Sequence, residues 1–568
     1  MIINQDLLEG YAPMEGLNQE TPRILSIEEL TDPSPFVRIF GCFGDGSDPQ
    51  FGIFLPPKEQ WKGRFIQKTH PFITLYADNF DLDSDDLAFF FNYGGYTITV
   101  PKGTSSGIVV QASAAHVSRT IAKNYYGYDE KIYGYLFGGS GGSMQTIGAL
   151  ELRIGLVWDG AVPFIIAEPA SLGNYDIRIF ARAVLEEKAP LIADAVRPGG
   201  SGDPFAMLTA LERDILNEVT KLGVPLEGWE TYESLLMLNE NAELIDAINA
   251  RGEVNETYTN AFWNEAGYLE AYDPELRDLF YNLRDRGASE GSLAKMVYHR
   301  HKDPGPTFRT RDHLRDLGGD PIFAQTEGTH YAIEAAVAVS GGAKWNGNIN
   351  YKTIAVVNLK DVDAFPSDGH YYRERVIESG REGDFRIWLN ENANHNKANA
   401  HIIPDLDIQL INYYGILQQA ILDLIAWVEK GIEPPKSTSY NVVDSQLIVE
   451  DIGAERGGIQ PIVKLTVNDA VSTSITSGGS VDLSAIIQVP QGTGEIVSVE
   501  WDFLGDGGFI DTDFDLLPDG SWAANAIFTY NETGTYLPQV RVASHRDGDP
   551  ATPFARIYNL GRARVIVE

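Results

Sequence analysis

Residues 133–145, with the sequence YGYLFGGSGGSMQ, restrict the fold of this chain more than any other segment. An apolar, aromatic run leads into four glycines around one serine, Ser140, and a helix-compatible tail follows. A dinucleotide-binding loop needs glycine where Met144 stands, and a P-loop needs a lysine, which this segment lacks. The pattern that fits is Gly138-x-Ser140-x-Gly142 between a buried strand and a helix, which predicts a nucleophile elbow.

An elbow also needs groups that stabilise a negatively charged oxygen. The helix after the serine directs its free amides and its positive dipole end at that point, so we expect the NH of Gly141 to be one oxyanion donor. The second donor is expected in the loop after the strand GRFIQKT. Pro71 has no NH, so His70 or Phe72 would supply it, with the hydroxyl of Thr69 as a further candidate.

An elbow serine works with an acid and a histidine that follow later strands, in that order. The segment TIAVVNLKDVDAFPSDGHYY places Asp361 and Asp363 just after one strand. The segment FRIWLNENANHNKANAH places His395 just after the next, with His401 farther along. We expect Asp361 to be the acid, with Asp363 as the alternative, and His395 rather than His401 to be the base.

The pattern of strands and helices divides the chain into four parts. Residues 1–164 alternate strands and helices, which predicts the first part of an α/β core. Long helical patterns in residues 165–345 indicate an inserted lid, and residues 346–460 return to the core and end in a linker. Short strands separated by Gly, Asp and Ser turns in residues 461–568 predict a β-sandwich. The predicted fold class is α/β, an α/β-hydrolase fold with an inserted helical lid, plus a C-terminal all-β immunoglobulin-like sandwich.

Two further groups of residues are candidates for ligand contacts. In AFWNEAGYLEAY, Trp263 and Tyr268 are suited to line an apolar substrate pocket, and packing between lid helices fits equally well. His299 and His301 have no obvious third ligand nearby, so no metal site is expected there. We expect no metal and no cofactor.

Charge and composition limit the partners and the location. The chain has 44 basic and 80 acidic residues, a net charge of -36, and such a surface repels nucleic acid and anionic lipid. We therefore expect neither nucleic acid nor a membrane as partner, and leave a homo-oligomer open. No signal peptide is visible and Cys42 is the single cysteine, so we expect a cytoplasmic protein or a mature secreted form, with the former favoured.

Five motifs between residues 34 and 436 resemble the tannase and feruloyl esterase family of α/β-hydrolases. They are WKGRFIQ, AKNYYG, YLFGGSGGSMQ, WDGAV and AWVEKGIEPP, in the order that the family shows. The resemblance implies that Ser140 is the nucleophile, that Asp361 or Asp363 is the acid and that His395 is the base. It also implies a helical lid, and a substrate-binding role for Gln145, which matches the glutamine after the family's elbow.

The chain departs from this family at two places near the expected site. Family members usually carry joined cysteines directly before the serine and directly after the histidine, where this chain has Gly139 and Asn396. The glycine-rich oxyanion segment of the family is replaced by THPFIT. A preference for gallate or ferulate esters therefore does not follow from the resemblance.

The end of the chain resembles a PKD-type immunoglobulin-like module. The motifs are WDFLGDGG, with Leu504 inserted relative to the usual pattern, and FTYNETGTYLPQVRV. The resemblance implies a packing or binding module without chemistry of its own.

Together these observations predict a serine ester hydrolase that acts through an acyl-enzyme on a small-molecule ester or lactone with a bulky apolar or aromatic group. Two alternatives stay open: a binding protein with this scaffold but no catalysis, and a hydrolase of amide or polyester bonds with the same three residues.

Overall fold

The computed structural model describes residues 5–70, 84–100, 107–167, 173–238, 243–254, 256–302, 340–396 and 406–568. Within these ranges, every helix is too short or too polar to cross a lipid bilayer.

The main domain is built on one mixed sheet. Its strands are β1 (Pro22–Leu30), β2 (Phe36–Phe43), β3 (Phe51–Leu55), β4 (Arg64–Lys68), β5 (Gly95–Thr99), β6 (Tyr133–Ser140), β7 (Gly160–Ile166), β8 (Lys352–Asn358) and β9 (Phe385–Asn390). The nine strands lie in the order β1-β2-β3-β5-β4-β6-β7-β8-β9. Pairing is antiparallel from β1 to β5 and parallel from β5 to β9. The parallel half therefore brings the carboxyl ends of β6 to β9 to one edge.

Helices cover both faces of this sheet. They are α1 (Ser84–Asn92), α2 (Ile108–Tyr126) and α3 (Gly141–Leu152) in the first part of the chain. Apolar side chains of α2 and α3 share one core cluster, whereas Phe89 and Phe90 of α1 belong to the cluster on the opposite face. Strands β6 to β8 are buried along most of their length, which explains their nearly continuous apolar sequences.

Between β7 and β8 the chain forms a group of helices with a hydrophobic cluster of its own. The helices are α4 (Asn174–Leu185), α5 (Ala189–Val196), α6 (Ala210–Lys221), α7 (Tyr232–Leu235), α8 (Leu244–Asn249), α9 (Glu256–Asn264), α10 (Pro274–Asp285), α11 (Glu290–Met296) and α12 (His299–Lys302). Val362 and Phe365 from the loop after β8 join the same cluster. The helical segment is thus packed onto the loop that carries the predicted acid, and its role as a lid stays a prediction.

The second part of the main domain adds α13 (Pro366–Glu378), α14 (Leu406–Gln409) and α15 (Tyr414–Lys430). A hairpin of β10 (Tyr440–Val443) and β11 (Gln446–Val449) and the short helix α16 (Gly453–Arg456) follow. The linker between α15 and β10 runs along the outer edge of β9. There Ser437 Oγ accepts from the NH of Ile387 at 3.1 Å, and Thr438 Oγ1 accepts from the NH of Leu389 at 3.0 Å.

The C-terminal domain is a β-sandwich. Its strands are β12 (Ile462–Val467), β13 (Ser472–Ile475), β14 (Gly479–Gln488), β15 (Glu495–Asp502), β16 (Ile510–Asp511), β17 (Asp515–Leu516), β18 (Trp522–Tyr530), β19 (Gly534–Tyr536), β20 (Gln539–His545), β21 (Ile557–Arg562) and β22 (Arg564–Val567). They form sheets β12-β14-β18-β17, β13-β22-β19 and β16-β15-β20-β21 around a core that includes Trp501 and Tyr530. The predicted combination of an α/β-hydrolase fold and a C-terminal all-β sandwich is confirmed.

The sandwich packs directly on the main domain. Ile557 and Leu560 of β21 lie in the same hydrophobic cluster as α15. A Cβ on Gly415 would lie 1.9 Å from the carbonyl oxygen of Arg556, so α15 and the residue before β21 approach each other as closely as only glycine allows. The two domains therefore share part of one core.

Candidate active site

Ser140 lies at the turn where β6 ends and α3 begins. Its backbone angles are φ 55° and ψ -126°, a conformation that residues other than glycine rarely adopt. The strain is held in place by the buried strand before it and the buried first turns of the helix after it. The serine thus lies at a strained turn between a buried strand and a helix, and its role as a nucleophile stays a prediction.

The glycines around Ser140 are required by close packing. A Cβ on Gly138 would lie 1.8 Å from Thr69 Oγ1, and one on Gly142 would lie 2.8 Å from the carbonyl oxygen of Thr69. On Gly139, a Cβ would lie 2.3 Å from the ring of Phe164. Phe164 therefore fills the space that the family's cysteine would need at this position.

Ser143 ties the elbow to the neighbouring strand. Its hydroxyl donates to the carbonyl oxygen of Ser140 at 2.6 Å and accepts from the NH of Ala167, just after β7, at 2.9 Å. This residue was missed in the sequence, because a serine in the first turn of a helix is common and its partner lies 24 residues away.

Asp361 and His395 form a close pair. Nδ1 of His395 lies 2.9 Å from Oδ2 and 3.0 Å from Oδ1 of Asp361. The carboxylate is fully buried and also accepts from the backbone NH groups of Asp363 and Ala364, at 2.8 Å and 2.9 Å. These contacts fix the carboxylate and hold one nitrogen of the imidazole, which leaves Nε2 as the nitrogen available for proton transfer.

The charges around His395 favour its protonated form. Burial by itself lowers the pKa of His395, but the Asp361 carboxylate outweighs burial and raises the pKa to about 9. Asp363 adds to this effect, and Arg178 opposes it. Burial raises the pKa of Asp361, and the facing His395 counteracts that rise.

Asp363, the alternative acid, has a different partner. Its carboxylate pairs with the guanidinium of Arg178 on α4, and although burial opposes the charged form, Arg178 lowers the pKa of Asp363. Arg178 also donates to the carbonyl oxygens of Leu235 and Ser234, at 2.8 Å and 2.7 Å. The geometry thus gives Asp361 to the histidine and Asp363 to the helical segment.

Side chains also connect the histidine to the elbow. The hydroxyl of Tyr413 donates to the carbonyl oxygen of His395 at 3.0 Å. The ring of Tyr413 lies 6.5 Å from that of Phe164, which packs on Gly139. Because β6, β7, β8 and β9 are parallel neighbours, the residues that follow them lie along one edge of the sheet.

Part of the predicted oxyanion loop is described. Gln145 is fully buried and donates through Nε2 to the carbonyl oxygen of His70 at 2.7 Å. Its amide thus holds the His70 loop from within, and a contact of Gln145 with substrate stays a prediction. The hydroxyl of Thr69 donates to the carbonyl oxygen of Gly142 at 2.8 Å. The donor roles of Gly141 and His70 stay predictions.

Phe72, Pro71 and His401, the other residues considered for the oxyanion loop and the base, lie outside the described residues.

The aromatic residues proposed to line a substrate pocket pack within the helical segment. Trp263 lies against Tyr281, with ring centroids 5.8 Å apart, and the guanidinium of Arg284 lies 4.9 Å from the Trp263 ring. Tyr268 contacts Tyr258 edge to face at 6.0 Å. These contacts correspond to the alternative of packing between helices, and a substrate role for either residue stays a prediction.

Asp361, Asp363 and His395 also meet the geometric criteria for a metal site, since one ligand atom from each lies within 4.8 Å of the others. The guanidinium of Arg178, however, already neutralises Asp363. The Asp361 oxygens accept two backbone NH groups beside the imidazole. The Arg178 guanidinium and the two backbone NH groups thus already occupy the carboxylate oxygens that a divalent cation would need. The arrangement suits a hydrogen-bonded acid–histidine pair better than a metal site.

Solved structures similar to this chain include esterases. A tannin acyl hydrolase from Aspergillus niger is 14% identical, with 81% of this chain and 93% of that chain covered and a TM-score of 0.38. Feruloyl esterase B from Aspergillus oryzae is 13% identical, with 78% and 94% covered and a TM-score of 0.37. An esterase from Aspergillus oryzae is 13% identical, with 81% and 96% covered and a TM-score of 0.39. Likenesses this distant do not transfer an activity.

The C-terminal domain has a clearer relationship. The family model of the PKD domain matches residues 464–553, which confirms the resemblance seen in the WDFLGDGG segment. No curated protein sequence matches the chain.

Proposed function

We propose that this chain is a serine carboxylic ester hydrolase. The observation that carries the proposal is the strained Ser140 at the turn from β6 to α3, on the same sheet edge as the hydrogen-bonded pair of Asp361 and His395. A serine held this way and a buried acid–histidine pair are the components of nucleophilic acyl transfer.

In the first half of the reaction, Ser140 Oγ attacks the ester carbonyl as its proton passes to Nε2 of His395. The carbonyl oxygen becomes an oxyanion that the NH of Gly141 stabilises, together with a donor near His70. Collapse of this intermediate breaks the bond to the leaving oxygen, and His395 returns the proton to that oxygen, releasing the alcohol. In the second half, water gives a proton to His395 and attacks the acyl-enzyme. The bond to Ser140 Oγ then breaks, the acid leaves, and His395 returns the proton to Ser140 Oγ.

Asp361 acts through the histidine. Its carboxylate keeps the ring proton on Nδ1 and stabilises the imidazolium that forms after each proton transfer. Asp363 is better placed to hold the helical segment against this loop, because its partner Arg178 is on α4 and bonds to two carbonyls of that segment.

For the substrate, we propose an ester or lactone with a bulky apolar or aromatic group. The resemblance of the sequence motifs to tannases and feruloyl esterases supports this class. The replaced oxyanion segment and the missing cysteine pair favour a substrate within this class that differs from gallate and ferulate esters.

The activity is expected to depend steeply on pH. His395 accepts the serine proton only when neutral, and the facing carboxylate raises its pKa to about 9. Because the protonated form predominates below that value, kcat/KM for an aryl ester should rise by about 100-fold between pH 7 and a plateau above pH 9. A pH profile corrected for spontaneous hydrolysis measures this, and a profile that is flat or falls over this range would contradict the assignment of His395 as base.

A fluorophosphonate tests the proposed chemistry directly, because it reacts with activated serines. Intact-mass analysis of the full chain should show one adduct, and peptide mapping should place it on Ser140. Ser140→Ala is expected to give none. If the folded wild type forms no adduct, the alternative of a binding protein without catalysis is favoured.

Paired substrates separate the remaining alternative. An aryl ester and the anilide of the same acid share the acyl group and differ only in the bond cleaved. We expect the ester to be turned over faster than the anilide. Comparable rates for the ester and the anilide would favour an amide hydrolase. Faster release of soluble acid from a polyester than from the aryl ester would favour a polyester hydrolase.

A further inference from the structure

The C-terminal sandwich reaches the two loops that carry Asp361 and His395. We call residues 359–365, after β8, the acid loop and residues 391–396, after β9, the histidine loop. Strand β21 of the sandwich carries Asn559, which bonds to the histidine loop. It also carries Arg562, which reaches the acid loop through Glu230, the partner of Lys360. These two side chains lie about 200 and 170 residues beyond the loops in sequence, so their position there is a property of how the domains pack.

A buried charge cluster links the sandwich to the acid loop. Glu230 of the helical segment accepts from Lys360 Nζ at 3.2 Å and from Arg562 Nη1 at 2.6 Å. All three side chains are less than a tenth exposed, and the two cations outweigh burial to lower the pKa of Glu230. Since Lys360 directly precedes Asp361, the cluster fixes the chain at the residue before the acid.

A hydrogen-bonded cluster links the sandwich to the histidine loop. Asn559 Oδ1 accepts from Asn392 Nδ2 at 2.9 Å, and Asn559 Nδ2 lies 3.2 Å from Glu391 Oε2. Asn392 has a φ of 53°, a conformation that needs support from its surroundings. Arg456 binds the same carboxylate of Glu391 at 2.6 Å.

The two loops are also bonded to each other. The NH of Lys360 donates to the carbonyl oxygen of Ala393 at 3.0 Å, and Asn358 Nδ2 donates to that of Asn394 at 2.7 Å. A displacement of either loop therefore changes the relation between Asp361 and His395.

We propose that the C-terminal sandwich is a positioning element of the active site, in which Arg562 and Asn559 set the alignment of Asp361 with His395. The inference rests on the proposed function, because it assigns these residues a role in the same reaction. Neither residue touches the reacting atoms: each acts through a loop. The sandwich is then part of the catalytic unit, in addition to whatever it binds.

Simple docking of the domains is the competing explanation, and the interface offers a matched control for it. Arg546 of the sandwich binds Asp423 on α15 through two bonds, at 3.1 Å and 2.7 Å. This ion pair joins the same two domains but contacts neither loop. Arg546→Gln therefore weakens docking without disturbing the loops.

The main test variant is Arg562→Met in the full chain. It removes the sandwich's contact with the cluster, while Lys360 still neutralises Glu230, so no isolated charge is left buried. We expect kcat for an aryl ester to fall about 10-fold with little change in KM. Arg562→Lys, which keeps a cation at this point, should recover most of the loss.

The pH profile distinguishes positioning from a direct effect of the lost charge. If alignment loosens, Asp361 supports the imidazolium less and the ionisation seen in kcat/KM moves to lower pH. If Arg562 acts only as a nearby positive charge, its removal moves that ionisation to higher pH. Asp363 and Arg178, the other charged groups facing His395, are unchanged in every variant.

The proposal is supported if Arg562→Met lowers kcat and moves the ionisation in kcat/KM to lower pH, while Arg546→Gln does neither. Wild-type kcat, an upward shift, or equal losses in the two variants overturns it. Asn559→Ala provides a second readout on the histidine loop, with a slower fluorophosphonate reaction at Ser140 as the expected result. A wild type that fails to react with the fluorophosphonate would instead refute the proposed function, which keeps the two failures apart.

Discussion

Ser140→Ala is expected to lower kcat for an aryl ester by about 10⁶-fold, because the variant retains the site but has no oxygen to attack the carbonyl. Its fold should be unaffected, since the hydroxyl is one small polar group at a partly exposed position. Discontinuous assays measure the residual rate, and the melting temperature shows that the variant is folded.

The sharper form of this test uses a double variant. If Ser140 and His395 act as one unit, His395→Ala alone should cost about as much as Ser140→Ala, and the double variant should be no worse than either. If the losses of the two single variants multiply in the double variant, the two residues act independently. If Ser140→Ala retains more than about a thousandth of the wild-type rate, the nucleophile lies elsewhere.

Asp361→Asn is expected to lower kcat by about 10⁴-fold. An amide at this position can donate to Nδ1, which places the ring proton on Nε2, the nitrogen that must receive the serine proton. The variant also lacks the charge that raises the pKa of His395, so the remaining activity should show its ionisation at lower pH than the wild type. Both effects appear in one set of pH profiles.

Asp363→Asn is the matched control, two residues along the same loop. It should retain kcat within about 10-fold, because the histidine keeps Asp361. Its expected effect is a lower melting temperature, since Arg178, only 1% exposed, loses its carboxylate. The opposite pattern, with Asp363→Asn inactive and Asp361→Asn active, would make Asp363 the acid.

Local sequence patterns were sufficient to predict the fold class and the strand-to-helix turn at Ser140. The Gly-x-Ser-x-Gly spacing reflects packing within a few residues of the serine, where a Cβ on Gly138 or Gly142 would meet Thr69. Asp361 and His395 became candidates because each lies in the loop after a buried strand, and parallel strands bring such loops to one edge. The sequence left Asp361 and Asp363 open as acids, since the choice depends on Arg178, more than 180 residues away.

The supporting contacts were outside the reach of sequence patterns. Gln145 follows the elbow as in the resembling family, but only the structure shows its amide under the His70 loop. Trp263 and Tyr268 have the composition of pocket residues and of helix-packing residues alike. Glu230, Lys360 and Arg562 come from three separate parts of the chain, and nothing in the local pattern of any one of them points to the others.

The path of the linker along β9 has a consequence for how copies of this protein associate. The last strand of an open sheet exposes unpaired NH and C=O groups on which another chain can add a strand. Here the side chains of Ser437 and Thr438 accept hydrogen bonds from the NH groups of Ile387 and Leu389. The NH of Thr438 donates to the carbonyl oxygen of Ile387. A dimer that extends the sheet across β9 would have to strip this segment away first. The linker thus protects the chain against edge-to-edge aggregation at this side of the sheet.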